Sequence, residues 1–287
     1  MKKALLLAAY APQHMEILWI LSHPAFRGLL KDLPRLPFKY LEGRYLAHGF
    51  TIDQQAACFL HHYRKLRRAW PGEFLRRLHE GGVALWEMRD QFGCYTVTLA
   101  PSRLFQDEGE MSLHLRVDGE AVFTLAFTVI PGAVVESEAR DLMLISRVHG
   151  VPGMFPQVQQ ATRAMHDVAP AALLMAALQG VAKTLGVDAM AGVTGKNQRS
   201  YTEPFTVRFL EAYDAFFTGL GATLNAAGFF VCPLPPPQKP FSQVKAGHKL
   251  RTREKRAFKQ EVADRVCRAI EENCRPGTDR GIASAVL

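Results

Sequence analysis

The pair Asp118-Gly119 constrains this chain more than any other feature. Before it, Met111-Ser-Leu-His-Leu-Arg-Val alternates apolar and polar residues; after it runs Ala121-Val-Phe-Thr-Leu-Ala-Phe-Thr-Val, rich in β-branched and aromatic side chains. A two-residue hairpin turn needs positive φ at both central positions, which Asp-Gly tolerates, so the two runs predict an antiparallel hairpin. Cys94-Tyr-Thr-Val-Thr-Leu-Ala alternates ahead of it, and a further strand, Leu142-Met-Leu-Ile-Ser-Arg147, leads into a glycine-containing loop, His149-Gly150-Val-Pro-Gly153. Helical sequence broken near Pro170 then reaches Leu185, a short strand spans Val187 to Val193, and a helix covers about Val207 to Leu220. Gly228-Phe-Phe-Val-Cys232 is the last strand, ended by Pro233-Leu-Pro-Pro-Pro237. Hairpin, strand, loop, helix, strand, helix, strand is an α+β order: a mixed, mostly antiparallel sheet with flanking helices and one β-α-β crossover. No G-x-G-x-x-G follows the first strand and no G-x-x-x-x-G-K-[ST] occurs, which argues against those two modes of nucleotide binding.

Residues 1–80 read as helical. Thr51, with Gln54 three residues on, forms a capping-box pattern that opens a helix running to about Trp70, where Pro71-Gly72 stops it. The start imitates a signal peptide, with two lysines, a short apolar run and Ala-Tyr-Ala. However, Pro12 follows at once and apolar residues continue at helical spacing, so an amphipathic first helix is expected. No run approaches the roughly 18 apolar residues of a membrane span. The five cysteines, Cys58, Cys94, Cys232, Cys267 and Cys274, form no C-x-x-C pair; reduced thiols in a cytoplasmic protein are the expectation. The division expected is a helical N-terminal region over 1–90, an α+β core over 91–240, and a basic C-terminal helix and tail over 241–287, flexible from Pro276-Gly277.

Net charge is +8, and the segment from Lys239 to Gln260 alone carries +7. Lys249, Arg251, Arg253, Lys255 and Arg256 are its centre, a candidate surface for a polyanion such as tRNA or anionic lipid. Arg64, Lys65, Arg67, Arg68, Arg76 and Arg77 make a second cluster, to be weighed against an ordinary solvated helix face.

Single residues add candidates. His149, beside Gly150, titrates near neutrality and suits a general base or a phosphate ligand. His61 and His62 are adjacent, so on a helix they point about 100° apart and chelate one metal badly. One of them with Tyr63 lines a pocket, or the two form a buried hydrogen-bonded pair. Lys196 and Asn197 end a strand, where ligand groups gather, and Tyr213-Asp214 offers an acid and a base. No cluster has structural-metal spacing, and no serine or cysteine stands out as a nucleophile.

Several stretches resemble the VirK/YbjX family of bacterial proteins. They are His23-Pro24, Lys39-Tyr40-Leu41 with Arg44-Tyr45-Leu46, His62-Tyr63 with Leu66, Leu125-Ala126-Phe127 and Val148-His149-Gly150. Ala172-Leu-Leu-Met-Ala-Ala-Leu-Gln-Gly with Leu185-Gly186-Val187, Tyr213-Asp214 with Phe216, Leu220-Gly221 and the Lys249-to-Arg256 run complete the series. The resemblance covers roughly residues 20–260. It departs at His149, where the family usually has glutamine, and at Asp167-Val168-Ala169-Pro170 in place of Gly-Leu-Arg-Pro. It implies a bacterial protein linked to the envelope or to antimicrobial-peptide resistance, and supplies no reaction.

The second half is also similar to the GNAT acyltransferase fold, whose strand-loop-helix cradles a cofactor pyrophosphate on backbone N–H groups. That resemblance implies cofactor binding by Arg147, Gly150 and Gly153, with Pro152 breaking the usual pattern, and catalytic roles for Asn197 and Tyr213 beside His149. His62, Tyr63 and Lys196 would contact substrate. The expectation is a GNAT-like protein, cytoplasmic or peripheral to the inner membrane, that transfers an acyl group from acyl-CoA or an acyl carrier to an amine or hydroxyl. Direct attack in a ternary complex needs no protein nucleophile. An aminoacyl-tRNA-dependent transferase and a non-catalytic accessory protein on anionic lipid are the alternatives.

Overall fold

The computed structural model describes residues 2–43, 45–103, 107–199 and 207–275. Arg44 and the Pro276-Gly277 end lie outside the described residues. The N-terminal part is helical: α1 (Lys2–Ala9), α2 (Ala11–Leu21), α3 (Arg27–Asp32), α4 (Ile52–Ala69) and α5 (Gly72–Gly81). Thr51 Oγ1 accepts the Gln54 N–H at 3.2 Å and the Gln54 side chain accepts the Thr51 N–H at 2.9 Å, so the capping box forms as expected.

Eight strands follow in one sheet: β1 (Val83–Asp90), β2 (Gly93–Pro101), β3 (Met111–Val117), β4 (Glu120–Pro131), β5 (Asp141–Gly150), β6 (Ala189–Val193), β7 (Thr223–Leu224) and β8 (Phe229–Pro233). Their order is β1-β2-β3-β4-β5-β6-β8-β7, antiparallel throughout except for the parallel β5–β6 pair. The hairpin turns at Asp118 (φ 51°) and Gly119 (φ 88°), and β5 joins the same sheet beside β4.

Helices α6 (Phe155–Ala164) and α7 (Pro170–Leu185) make the crossover from β5 to β6, and α8 (Val207–Gly219) leads from β6 to β7. The long α9 (Lys249–Asn273) closes the described chain. Its Phe258 meets the Trp86 ring edge-on at 6.1 Å, on the face where Tyr95, Val97 and Leu99 are buried. Helix α7 packs between α9 and the sheet, and Gly180 is what lets the two helices close: a Cβ there would stand 2.4 Å from the Ala263 carbonyl. Helix α4 covers the other face, where Thr128 accepts the Glu110 N–H at 3.0 Å and Tyr63 reaches the Glu110 carboxylate.

Two strand boundaries differ from the sequence pattern. β1 does not alternate, because a bulge between Ala84 and Trp86 buries Leu85 and Trp86 side by side. β5 runs three residues beyond Arg147: His149 and Gly150 are strand residues paired with Thr124 and Phe123, not a loop.

Candidate functional site

β5 and β6 are hydrogen-bonded neighbours only where Met143–Ile145 face Met190–Gly192, and beyond that they part. Tyr213, from α8, fills the opening. Its hydroxyl accepts the Val148 N–H at 2.7 Å and turns its own proton toward the Ser146 carbonyl at 3.4 Å. Burial, reinforced by the Glu108 charge, raises the Tyr213 pKa, so the phenol stays neutral and able to donate. Asp214, one residue on, accepts the Gly195 N–H at 2.8 Å and clamps the single 3-10 turn at Gly195–Asn197 to α8.

Beside this opening a polar strip crosses one face of the sheet. Thr98, His114, Thr124 and His149 are successive cross-strand partners from β2 to β5. His114 Nδ1 lies 3.0 Å from Thr124 Oγ1, and Arg116 donates to Thr98 Oγ1 at 3.3 Å. Arg147 stands on the same face and pairs with Glu108, a buried carboxylate from the loop before β3. Burial, with Arg116 and His149 nearby, pushes His114 down to about 4; burial also lowers His149, with Arg147 adding to the effect. Both imidazoles are therefore neutral at pH 7, and the same burial makes His114 a weak base. Thus Arg147 and Tyr213 come together at the opening, with His149 one residue beyond the Val148 N–H. His114, Thr124 and Glu108 join them although the sequence did not single them out. Of these His114 was findable, since it occupies a half-buried position of an alternating strand. Glu108 carried no local signal, because its partner is 39 residues away.

Other candidates fall elsewhere. Asn197 gives its carbonyl to the His48 N–H at 2.8 Å and its amide to the Gly228 carbonyl at 3.4 Å, while Lys196 is exposed. Gly150 is extended, and a Cβ there would touch the Phe123 ring at an ordinary 3.5 Å; Gly153 does need glycine, at φ 84°. The phosphate cradle expected at this turn is partial. Val151 and Met154 give their N–H groups to Val122 and Val151, Val158 gives its own to Met154, and Pro152 and Pro156 have none. The two large cavities described also lie away from residues 148–153. They form one groove on the outside of α7, between α9 and the 234–239 segment.

His62 and Tyr63 are buried in the core. His62 Nδ1 accepts the Val129 N–H at 3.1 Å, and Tyr63 donates to Glu110 at 2.6 Å. Lys39 meets the other Glu110 oxygen at 2.6 Å and lies 4.7 Å from the centre of the Tyr45 ring. The Lys39, Tyr45 and Tyr63 motifs thus build one buried charged knot joining the helical layer to the sheet. The basic cluster at 64–77 is largely spent within the fold: Arg64 on Glu16, Lys65 on Asp141 at 2.5 Å, Arg76 on Glu73 and Glu80, Arg77 on the Asn273 carbonyl. In α9, Arg251 and Lys255 hold Asp167, and Arg256 donates to the Lys239 carbonyl, while Lys249 and Arg253 are exposed. Among the described residues no group of three or more His, Cys, Asp or Glu could hold a metal, and no helix is long and apolar enough to cross a membrane. All five cysteines are free thiols.

A family described as "Protein of unknown function (DUF535)" matches residues 2–268. The chain is 25% identical over 256 residues to the uncharacterized protein YbjX of Escherichia coli (strain K12), covering 85% of this chain and 75% of that one. No solved structure matches. With the match reaching from α1 into α9, the chain belongs to the DUF535 family, the VirK/YbjX family that its motifs resemble.

Proposed function

We propose that the protein is an acyltransferase that moves an acyl group from a thioester to an amine or hydroxyl by direct attack, on a GNAT-like core. The carrying observation is the opening between the parallel strands β5 and β6, with the Tyr213 hydroxyl on the Val148 N–H. The insertion of β8 between β6 and β7 supports the same core. An extended donor arm can take the Val148 N–H and Ser146 carbonyl as an added strand would, once Tyr213 yields them. The acceptor lone pair then attacks the thioester carbon, the C–S bond breaks, Tyr213 protonates the leaving thiolate, and His149 takes the acceptor's proton.

Calorimetry with acyl-CoA and with an acyl carrier protein tests the binding half, and Tyr213→Phe the chemistry. Removing a general acid should slow turnover on the order of 10²-fold while donor binding and the melting temperature hold. Unchanged turnover clears Tyr213 of that role. If neither donor binds the wild type, the second reading takes over: a non-catalytic protein held on a polyanion by α9, which the exposed Lys249 and Arg253 support. Liposome flotation marks lipid as that polyanion. The remaining alternative is catalytic, an aminoacyl-tRNA-dependent transferase on the same fold; binding to tRNA that weakens steeply with salt marks it, since each phosphate contact releases counterions.

A further inference from the structure

The groove outside α7 shares no residue with the β5–β6 opening. Its smaller compartment, about 230 Å³, is lined by Lys239, Arg256 and Lys259 with no carboxylate among its walls, and it meets the larger one, about 550 Å³, at Gln179, Pro235 and Gln260. The charges here are arranged unlike those one turn earlier on α9. There, Arg251 pairs with the Asp167 carboxylate and Lys255 donates to the Asp167 carbonyl. Here Arg256 is fixed by the Lys239 carbonyl and stacks 4.4 Å from the centre of the Phe241 ring, so its charge has a set position but no carboxylate partner among the described residues. The Lys239 and Lys259 ammonium groups make no hydrogen bond or ion pair among the described residues. Lys259 is half-buried, and burial together with Arg256 and Lys255 lowers its pKa, as expected of a cation held without an anion. The Gln179 and Gln238 amides add neutral donors, and Met175 and Leu220 give an apolar floor.

We propose that this groove is a binding site for a phosphate-bearing ligand with a small apolar body, its phosphate held by Lys239, Arg256 and Lys259. Three cations in one compartment match a dianion better than a monocarboxylate, and the connected volume admits a small organic group beyond the phosphate. A soluble phosphate ester and a lipid headgroup carry the same chemistry.

The test titrates the full chain with inorganic pyrophosphate by calorimetry and floats it with vesicles of phosphatidic acid in phosphatidylcholine. Lys239→Gln and Lys259→Gln should each weaken pyrophosphate binding tenfold or more. Lys31→Gln and Arg268→Gln, which remove the same charge from exposed positions outside the groove, should change it less than twofold. Lys259→Gln removes an uncompensated half-buried charge, so its melting temperature should hold or rise, which separates lost binding from lost folding. Pyrophosphate binding without flotation identifies a soluble phosphate ester, and flotation that needs Lys259 identifies a lipid headgroup; both support the site. No binding of pyrophosphate by the wild type, or equal weakening by the groove and control substitutions, overturns it.

Discussion

Glu110 and Lys39 are each 5% exposed and 2.6 Å apart, which makes them costly to separate. Burial pushes the Glu110 carboxyl up, but the Lys39 charge and the hydrogen bonds from Lys39 and Tyr63 outweigh it and hold the pKa below its ordinary value. Glu110→Gln leaves Lys39 a buried charge without its anion, and a loss of about 3–5 kcal/mol in urea unfolding is expected. A loss under 1 kcal/mol would mean that water reaches the pair. The buried histidines set a second expectation. Burial drives His62 to about 3, and His79 and His114 to about 4, from an ordinary 6.5. A histidine depressed in the folded state contributes stability above its unfolded pKa and loses it as pH falls toward the folded one. Stability should therefore drop between pH 7 and pH 5 by roughly 2 kcal/mol for each of these three, with Glu110 adding loss only below the ordinary carboxylate range. Denaturation curves at pH 7, 6 and 5 that coincide would show these rings to be solvated. Lys39 and Tyr63 were visible in the sequence as motif members but not as a pair. The acid that unites them is 71 and 47 residues away, a distance no local pattern spans.

Among elements, α9 shows how far charge alone misleads. The sequence displays it as a basic tail, yet Phe258, Val262, Val266 and Ile270 recur at helical spacing and are buried. Only its first two turns are surface. Gly180→Ala tests the packed half. The new Cβ would meet the Ala263 carbonyl at 2.4 Å and the Val266 side chain at 2.9 Å, so α7 and α9 must separate. A cost of about 1–3 kcal/mol is expected, with amide exchange rising across 258–270 and not in β2–β4. Protection unchanged in α9 would mean that the crossing shifts without opening. Charge reversal divides the helix the same way. Lys249→Glu and Arg253→Glu should leave the melting temperature unchanged, and Arg251→Glu should cost no more than about 1 kcal/mol, the ceiling for an exposed pair such as Arg251–Asp167. A fall of many degrees for Lys249→Glu would place the first turns inside the packed structure. Strands were legible where one face is buried and the other is not, as in β2 and β3. They were not legible where a bulge puts two apolar residues together, as in β1, or where a strand is only two residues long, as in β7.

At the scale of the molecule, the hairpin at Asp118-Gly119 and the single crossover led to the right sheet, because short connections leave few other ways to pair these strands. The association of the helical layer with that sheet was not legible, since it rests on contacts between distant residues. One apolar cluster runs from Ile17 to Ile270. Trp70, ending α4, donates to Thr184 at 3.3 Å, and Arg77 of α5 donates to the Asn273 carbonyl at 3.0 Å, so the first helices are tied to the last. The charged knot at Glu110 sits on the same boundary and would be exposed to water, unpaired, if the layer lifted. A partly opened state would thus expose apolar surface and strand a buried carboxylate together, which makes it costly to populate. Two variants each keeping one tryptophan, Trp70 at the end of the helical layer or Trp86 in β1 against α9, can report on the two sides separately. Their fluorescence transitions in urea should share one midpoint and one slope, the mark of all-or-none unfolding. If Trp70 reports the lower midpoint, the helical layer opens first and the Glu110 knot does not couple it to the sheet; Glu110→Gln would then leave the Trp86 transition where it was.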